Sequence, residues 1–126
     1  MNRWASRTAI HAVCGTLMCL FTLAGVLHAA DRAETILANS RFAGGVAVHV
    51  HGADAALLEA VRQQRPNLLG HLLVAQEEDA RTAREALVAS GLHGQIGVGQ
   101  WQSGTLPFVD NFVNLLIVER QDAVSR

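Results

Sequence analysis

The chain has 126 residues, ten basic side chains, all of them Arg, and eleven acids, for a net charge of −1. That length accommodates one small domain. A mildly acidic chain with no basic run and no interleaved aromatics excludes an extended nucleic-acid interface.

Residues 1–30 read as a secretory signal. Arg3 and Arg7 make a positive start, Ala12 to Leu27 is an apolar run, and Leu27-His28-Ala29-Ala30 ends in small residues. The expectation is export to the periplasm or medium, with cleavage after Ala30. The alternative is a membrane anchor over residues 12–27, because the run approaches the shortest length that spans a bilayer. Neither Cys14 nor Cys19 follows a small residue, which argues against a lipoprotein. Both cysteines lie in this leader, so residues 31–126 can form no disulfide and no thiolate metal site. With Arg3 and Arg7 set aside, eight Arg face the eleven acids.

Asp31 to Asn39 predicts a short helix, capped by Asp31 and supported by Glu34, with Ile36 and Leu37 on its apolar side. Gly44-Gly45 leads into a strand over Val46–Val50, a turn at His51-Gly52-Ala53, and a helix from Asp54 to Gln64. In that helix Leu57, Leu58 and Val61 form the inner stripe, and Glu59 and Arg62 lie on the wet side. Leu68 to Ala75 is an apolar run of strand length, consistent with burial on both faces. Glu77 to Ser90 predicts a helix with acids in its first turn, an inner face of Ala80, Ala83, Leu87 and Val88, and Gly91 as its stop. A strand over Gln95–Val98, a loop over Trp101–Asn111 and a strand over Phe112–Glu119 complete the order. Strands alternating with helices imply a parallel sheet with crossover helices in three layers.

The segment Gly44–Glu119 resembles the N-terminal half of a class I S-adenosylmethionine-dependent methyltransferase. The most specific piece is Leu106-Pro107-Phe108-Val109-Asp110-Asn111-Phe112-Val113-Asn114-Leu115-Leu116-Ile117-Val118, similar to the family's approach to its fourth strand. Ala83-Arg84-Glu85 and Ser90-Gly91-Leu92 match the helix and turn before strand three. Gly44-Gly45-Val46-Ala47-Val48-His49 and Gly91-Leu92-His93-Gly94 are similar to methyltransferase-like domains of exported bacterial proteins that continue into a pyrroloquinoline-quinone-type β-propeller. The resemblance implies a Rossmann-like α/β sheet of strand order 3-2-1-4 with flanking helices, truncated after strand four.

Against the family's acid-x-Gly-x-Gly-x-Gly turn, the motif glycines correspond to His51, Ala53 and Ala55, and the acid to His49. Gly52 falls on a variable position. Glycine permits positive φ and close backbone approach to a ligand, which these replacements remove. The ribose-binding acid corresponds to Val74, and the adenine-facing acid to Gln102. Glu77, Glu78 and Asp79 could reach toward the ribose position, although a solvated first helical turn is the simpler reading. If S-adenosylmethionine binds, Gly52, Asp54, Trp101 and Gln102 are the expected contacts.

Other constellations carry less. His49 and His51 form an HxH pair with His71 and His93 as further candidates, short of a converging metal set. Ser40, Ser90, Ser103 and Ser125 lie in no nucleophile-elbow setting. Trp101 and Phe108 suit loop packing as well as adenine stacking. The sequence therefore implies a degenerate methyltransferase-like domain serving as a structural or interaction module, with a cofactor-binding enzyme as the alternative. The expected partners are a propeller domain or a second copy, meeting through an exposed strand four.

Overall fold

The computed structural model describes residues 25–119. Most of the expected leader and the tail 120–126 lie outside them. The described residues contain helix α1 (25–40), β1 (Gly45–Val50), α2 (Ala56–Gln64), β2 (Leu68–Val74), α3 (Glu77–Ser90), β3 (Ile96–Gln100) and β4 (Leu115–Val118). The four strands form one parallel sheet in the order β3-β2-β1-β4. Fold class and strand order are those the sequence predicts.

Helix α1 starts earlier than expected. Asp31 lies inside it rather than capping it, and the Asp31 carbonyl accepts the Thr35 hydroxyl at 3.0 Å. Its buried side is Ala33 and Leu37, continued by Phe42 after the helix ends. In α2, Leu57, Leu58, Ala60 and Val61 face inward as the stripe predicts. Asp54 stands ahead of the helix and accepts the Ala56 N–H at 2.9 Å, so it ties down one of the free donors of the first turn. Arg62 does not pair with Glu59. Its guanidinium donates to the carbonyls of Pro66 and Leu68, at 2.9 and 2.6 Å, and so fastens the α2–β2 connection. Helix α3 matches its predicted bounds, with Gly91 left-handed at its end. Val88, expected inside, is 62% exposed. It follows Leu87 directly and so sits about 100° around the helix from it, beyond the narrow stripe of Ala80, Ala83 and Leu87.

The layering corrects the three-layer expectation. Ala33 and Leu37 of α1, Leu57, Leu58 and Val61 of α2, and Ala80, Ala83 and Leu87 of α3 all join one cluster with Ala47, Leu68, Leu72, Ile96 and Leu115. All three helices therefore cover the same face. Val48, Val50 and Leu73 point to the other face, where Trp101, Leu106, Phe108 and Val113 of the long β3–β4 loop pack on them. The loop covers only part of that face. Leu69 is 56% exposed and Leu116 41%, so β2 is not buried on both sides as its apolar run suggested.

Strand β4 is shorter than Phe112–Glu119. Pairing to β1 begins where the Asn114 N–H donates to the Val46 carbonyl and the Asn114 Oδ1 accepts the Val46 N–H, both at 2.9 Å. Phe112 stays in the loop, its ring stacked on Phe108 at 6.1 Å. Strand β3 runs two residues past the predicted end, to Gln100.

Candidate functional site

In an open parallel sheet, ligands gather beyond the carboxyl ends of the strands, where neighbouring strands send their connections to opposite sides. Here that place is the end of β1, between β2 and β4. A cleft of about 380 Å³ opens there, lined among others by Arg32, His49, His51, Asp54, Leu57 and Glu119.

His49 is the most constrained of these. It pairs across the sheet with Leu72 on one side and Ile117 on the other, and is 2% exposed. Its Nε2 lies 2.9 Å from Glu119 Oε1, the residue directly after β4. Arg32 of α1 donates to the same oxygen at 2.6 Å. One carboxylate thus joins α1, β1 and the end of β4. The Arg32 hydrogen bond is the main reason the Glu119 carboxyl is held below its ordinary range, with His49 adding to it. Burial lowers the His49 pKa below its ordinary 6.5, and the bond to Glu119 opposes that only in part. The ring is therefore neutral near pH 7, with Nε2–H donating to Glu119. That leaves Nδ1 as a buried acceptor with no partner among the described residues.

The Nδ1–Cε1 edge of this ring rests on Gly52. A Cβ placed on Gly52 would lie 2.3 Å from His49 Cε1 and 2.5 Å from Nδ1. The glycine of the turn faces an imidazole of its own chain and not the open cleft. A carboxylate-held imidazole resembles a general base in outline, but a base must reach the proton it removes. Here the free nitrogen is buried over Gly52, within 2.5 Å of where a Cβ would stand.

His51 departs from the expected HxH geometry. It leaves the strand at φ 56°, and its ring meets Trp101 with centroids 5.5 Å apart, while His49 turns to Glu119. The two rings are thus engaged on different elements. His71 goes to the other face, where Phe108 meets it edge-on at 5.6 Å, and His93 is exposed beyond α3. No group of three or more His, Cys, Asp or Glu is gathered to hold a metal among the described residues.

The remaining sequence candidates are dispersed. Gly52 is buried beneath His49, and Asp54 is exposed at the rim with its carboxylate on Ala56 N–H. Trp101 is half-buried and donates through Nε1 to the Thr105 carbonyl at 3.1 Å, while touching the turn through His51. Gln102 is exposed in the loop. Val74 is 2% exposed in the helix-side core, and Glu77, Glu78 and Asp79 face solvent, with Glu77 and Glu78 paired to Arg84 and Arg81. Phe108 packs the loop onto the sheet.

Arg32 and Glu119 were missed by the sequence reading. A signal for Glu119 existed. With β4 parallel to β1 and Val118 level with Val50, the residue after β4 must lie beside the β1 turn. Arg32 had no comparable signal, because its approach depends on how α1 crosses the sheet.

No protein-family model matches the chain. No curated protein matches it significantly. Among solved structures it is similar to a Methanococcus maripaludis protein assigned as an S-adenosyl-L-methionine-dependent methyltransferase, with a TM-score of 0.66 and 18% identity. The alignment covers 74% of this chain and 42% of that one, so the chain spans less than half of its neighbour's length. The two share a Rossmann-like α/β fold.

Proposed function

We propose that this is a degenerate methyltransferase-like domain of an exported protein, serving as a non-catalytic structural or interaction module. The observation that carries the reading is the seat of His49 on Gly52. Close approach of a cofactor to the turn after β1 needs a glycine face open to the cleft. Here that face is filled by a ring whose Nε2 bonds Glu119, a carboxylate that Arg32 also holds. Val74 cannot accept a ribose hydroxyl, and Gln102 is exposed in the loop. The leader-like start supports export. The likeness to propeller-linked domains, the apolar strand β4 at the edge of the described sheet and the half-bare face support assembly with a propeller domain or a second copy.

The second reading, an S-adenosylmethionine-binding enzyme with an atypical loop, draws on the 380 Å³ cleft beside Asp54 and on the neighbour's assigned activity. Titration calorimetry with S-adenosylmethionine and S-adenosylhomocysteine separates the two. No heat of binding is expected. A Kd tighter than about 100 µM, roughly −5.5 kcal/mol, would overturn the non-catalytic reading. Export is checked by fractionation and by the mass of the mature N-terminus.

A further inference from the structure

Among the described residues the His49 ring is held at Nε2 by Glu119 and has no partner at Nδ1. Neutral, it leaves a buried acceptor in the space beside Gly52 that a Cβ would fill; protonated, it would place a charged N–H donor in that same space. An unpaired buried charge costs far more than an unpaired buried acceptor. The titratable and charged groups that line the cleft with the ring are Arg32 and His28 from α1, Glu119 after β4, and His51 and Asp54 in the turn. Arg32 already shares the Glu119 oxygen, so the carboxylate is not free to compensate a second cation fully. The neighbouring cleft offers room for the ring and, at its rim, the exposed carboxylate of Asp54.

We propose that His49 is a built-in plug of the β1–α2 turn, seated on Gly52 while neutral and unseated into the cleft when protonated. The proton acts through its differential affinity for the two states, since the seated ring binds it less well than a solvated one. Burial is the largest influence on His49, and it acts in this direction. The turn backbone is thus occluded at neutral pH and bared in mild acid. Any ligand that approaches Gly52 closely would compete with the plug and gain affinity as pH falls.

The test is nuclear magnetic resonance on the full chain between pH 7.5 and 5.0. The His49 Cε1–H resonance reports protonation, and the Gly52 Hα resonances report the ring current of the seated imidazole. Both are expected to move with one midpoint, below 6.5, while core resonances of β2 and α3 stay fixed. His49→Gln keeps a donor for Glu119 and cannot protonate, so its Gly52 resonances should stay flat. Should that variant fold poorly, Glu119→Gln provides the second arm. Losing the carboxylate removes what raises the His49 pKa, so the shared midpoint should drop. The proposal is overturned if Gly52 stays still while His49 titrates, if Gly52 moves equally in His49→Gln, or if Glu119→Gln leaves the midpoint unchanged or raises it.

Discussion

Gly52→Ala isolates the contact on which the site reading rests. Gly52 has no positive φ, so alanine suits its backbone, and the lost flexibility of the unfolded chain alone would favour the variant by about 0.4–1 kcal/mol. The folded state opposes this. The new methyl would lie 2.3 and 2.5 Å from two ring atoms of His49, far inside van der Waals contact. A free side chain would swing aside, but this ring is pinned by Glu119 at 2.9 Å and is 2% exposed. Overpacking of this kind costs about 1–3 kcal/mol. The steric term outweighs the entropic one, so Gly52→Ala should destabilise the fold and lower Tm by several degrees. In a His49→Ala background the obstacle is gone and the same substitution should become neutral or slightly stabilising. Urea denaturation of the four proteins closes the cycle, with a coupling of about 1–3 kcal/mol expected for groups in contact. An equal cost in both backgrounds would refute the claim that Gly52 is glycine because of His49.

Further outcomes follow from the same structure. On the other face, the His71 ring lies across Gly97 and Gly99, where an added methyl would stand 2.7 Å from Nδ1 at Gly97 and 3.1 Å from Nε2 at Gly99. Gly97→Ala should therefore cost more than Gly99→Ala in urea denaturation. Burial lowers the pKa of both His49 and His71 from 6.5. The unfolded chain then binds more protons just below that pH, and stability should fall as pH drops through about 6.5; the urea midpoint at pH 7.5 and 5.5 measures it. Leu58→Ala, at a fully buried α2 position, should cost about 2–5 kcal/mol, while Leu69→Ser on the bare face should stay within about 0.5 kcal/mol and raise solubility.

Much of the fold was legible because its signals are local or pairwise. Glu77–Ser90 carries acids at one end and Gly91 at the other, and helix α3 has those bounds. Strand order followed from the family likeness around Leu106–Val118, and the sheet agrees. What stayed hidden depends on distant partners. An apolar run such as Leu68–Val74 does not tell which residues another element will cover, and Leu69 is left bare because the β3–β4 loop packs at the other end of the strand. Phe112 reads as strand by its composition, yet Asn114 sets where pairing to β1 begins. In the site, the sequence identified the turn and its altered glycines, but not the carboxylate of Glu119, 70 residues from His49, nor Arg32 beyond it.

The glycines show why a motif must be read with its neighbours. Gly52, Gly97 and Gly99 stand where a strand or turn passes an imidazole, and each leaves space for that ring. His49 on β1 takes one face of the sheet and His71 on β2 the other, so the same accommodation occurs twice, in opposite directions. A glycine that serves a ligand must turn its bare face to open space. One that serves a buried ring turns it inward, and the two are identical in sequence. The distinguishing feature is the residue across from it. In the β1 turn that residue is His49, anchored from behind by Glu119, which makes the glycine part of the packing. Restoring the three motif glycines by His51→Gly, Ala53→Gly and Ala55→Gly alone should therefore leave the turn occluded. Only adding a change at His49 should expose Gly52, a difference that the Gly52 Hα resonances would report.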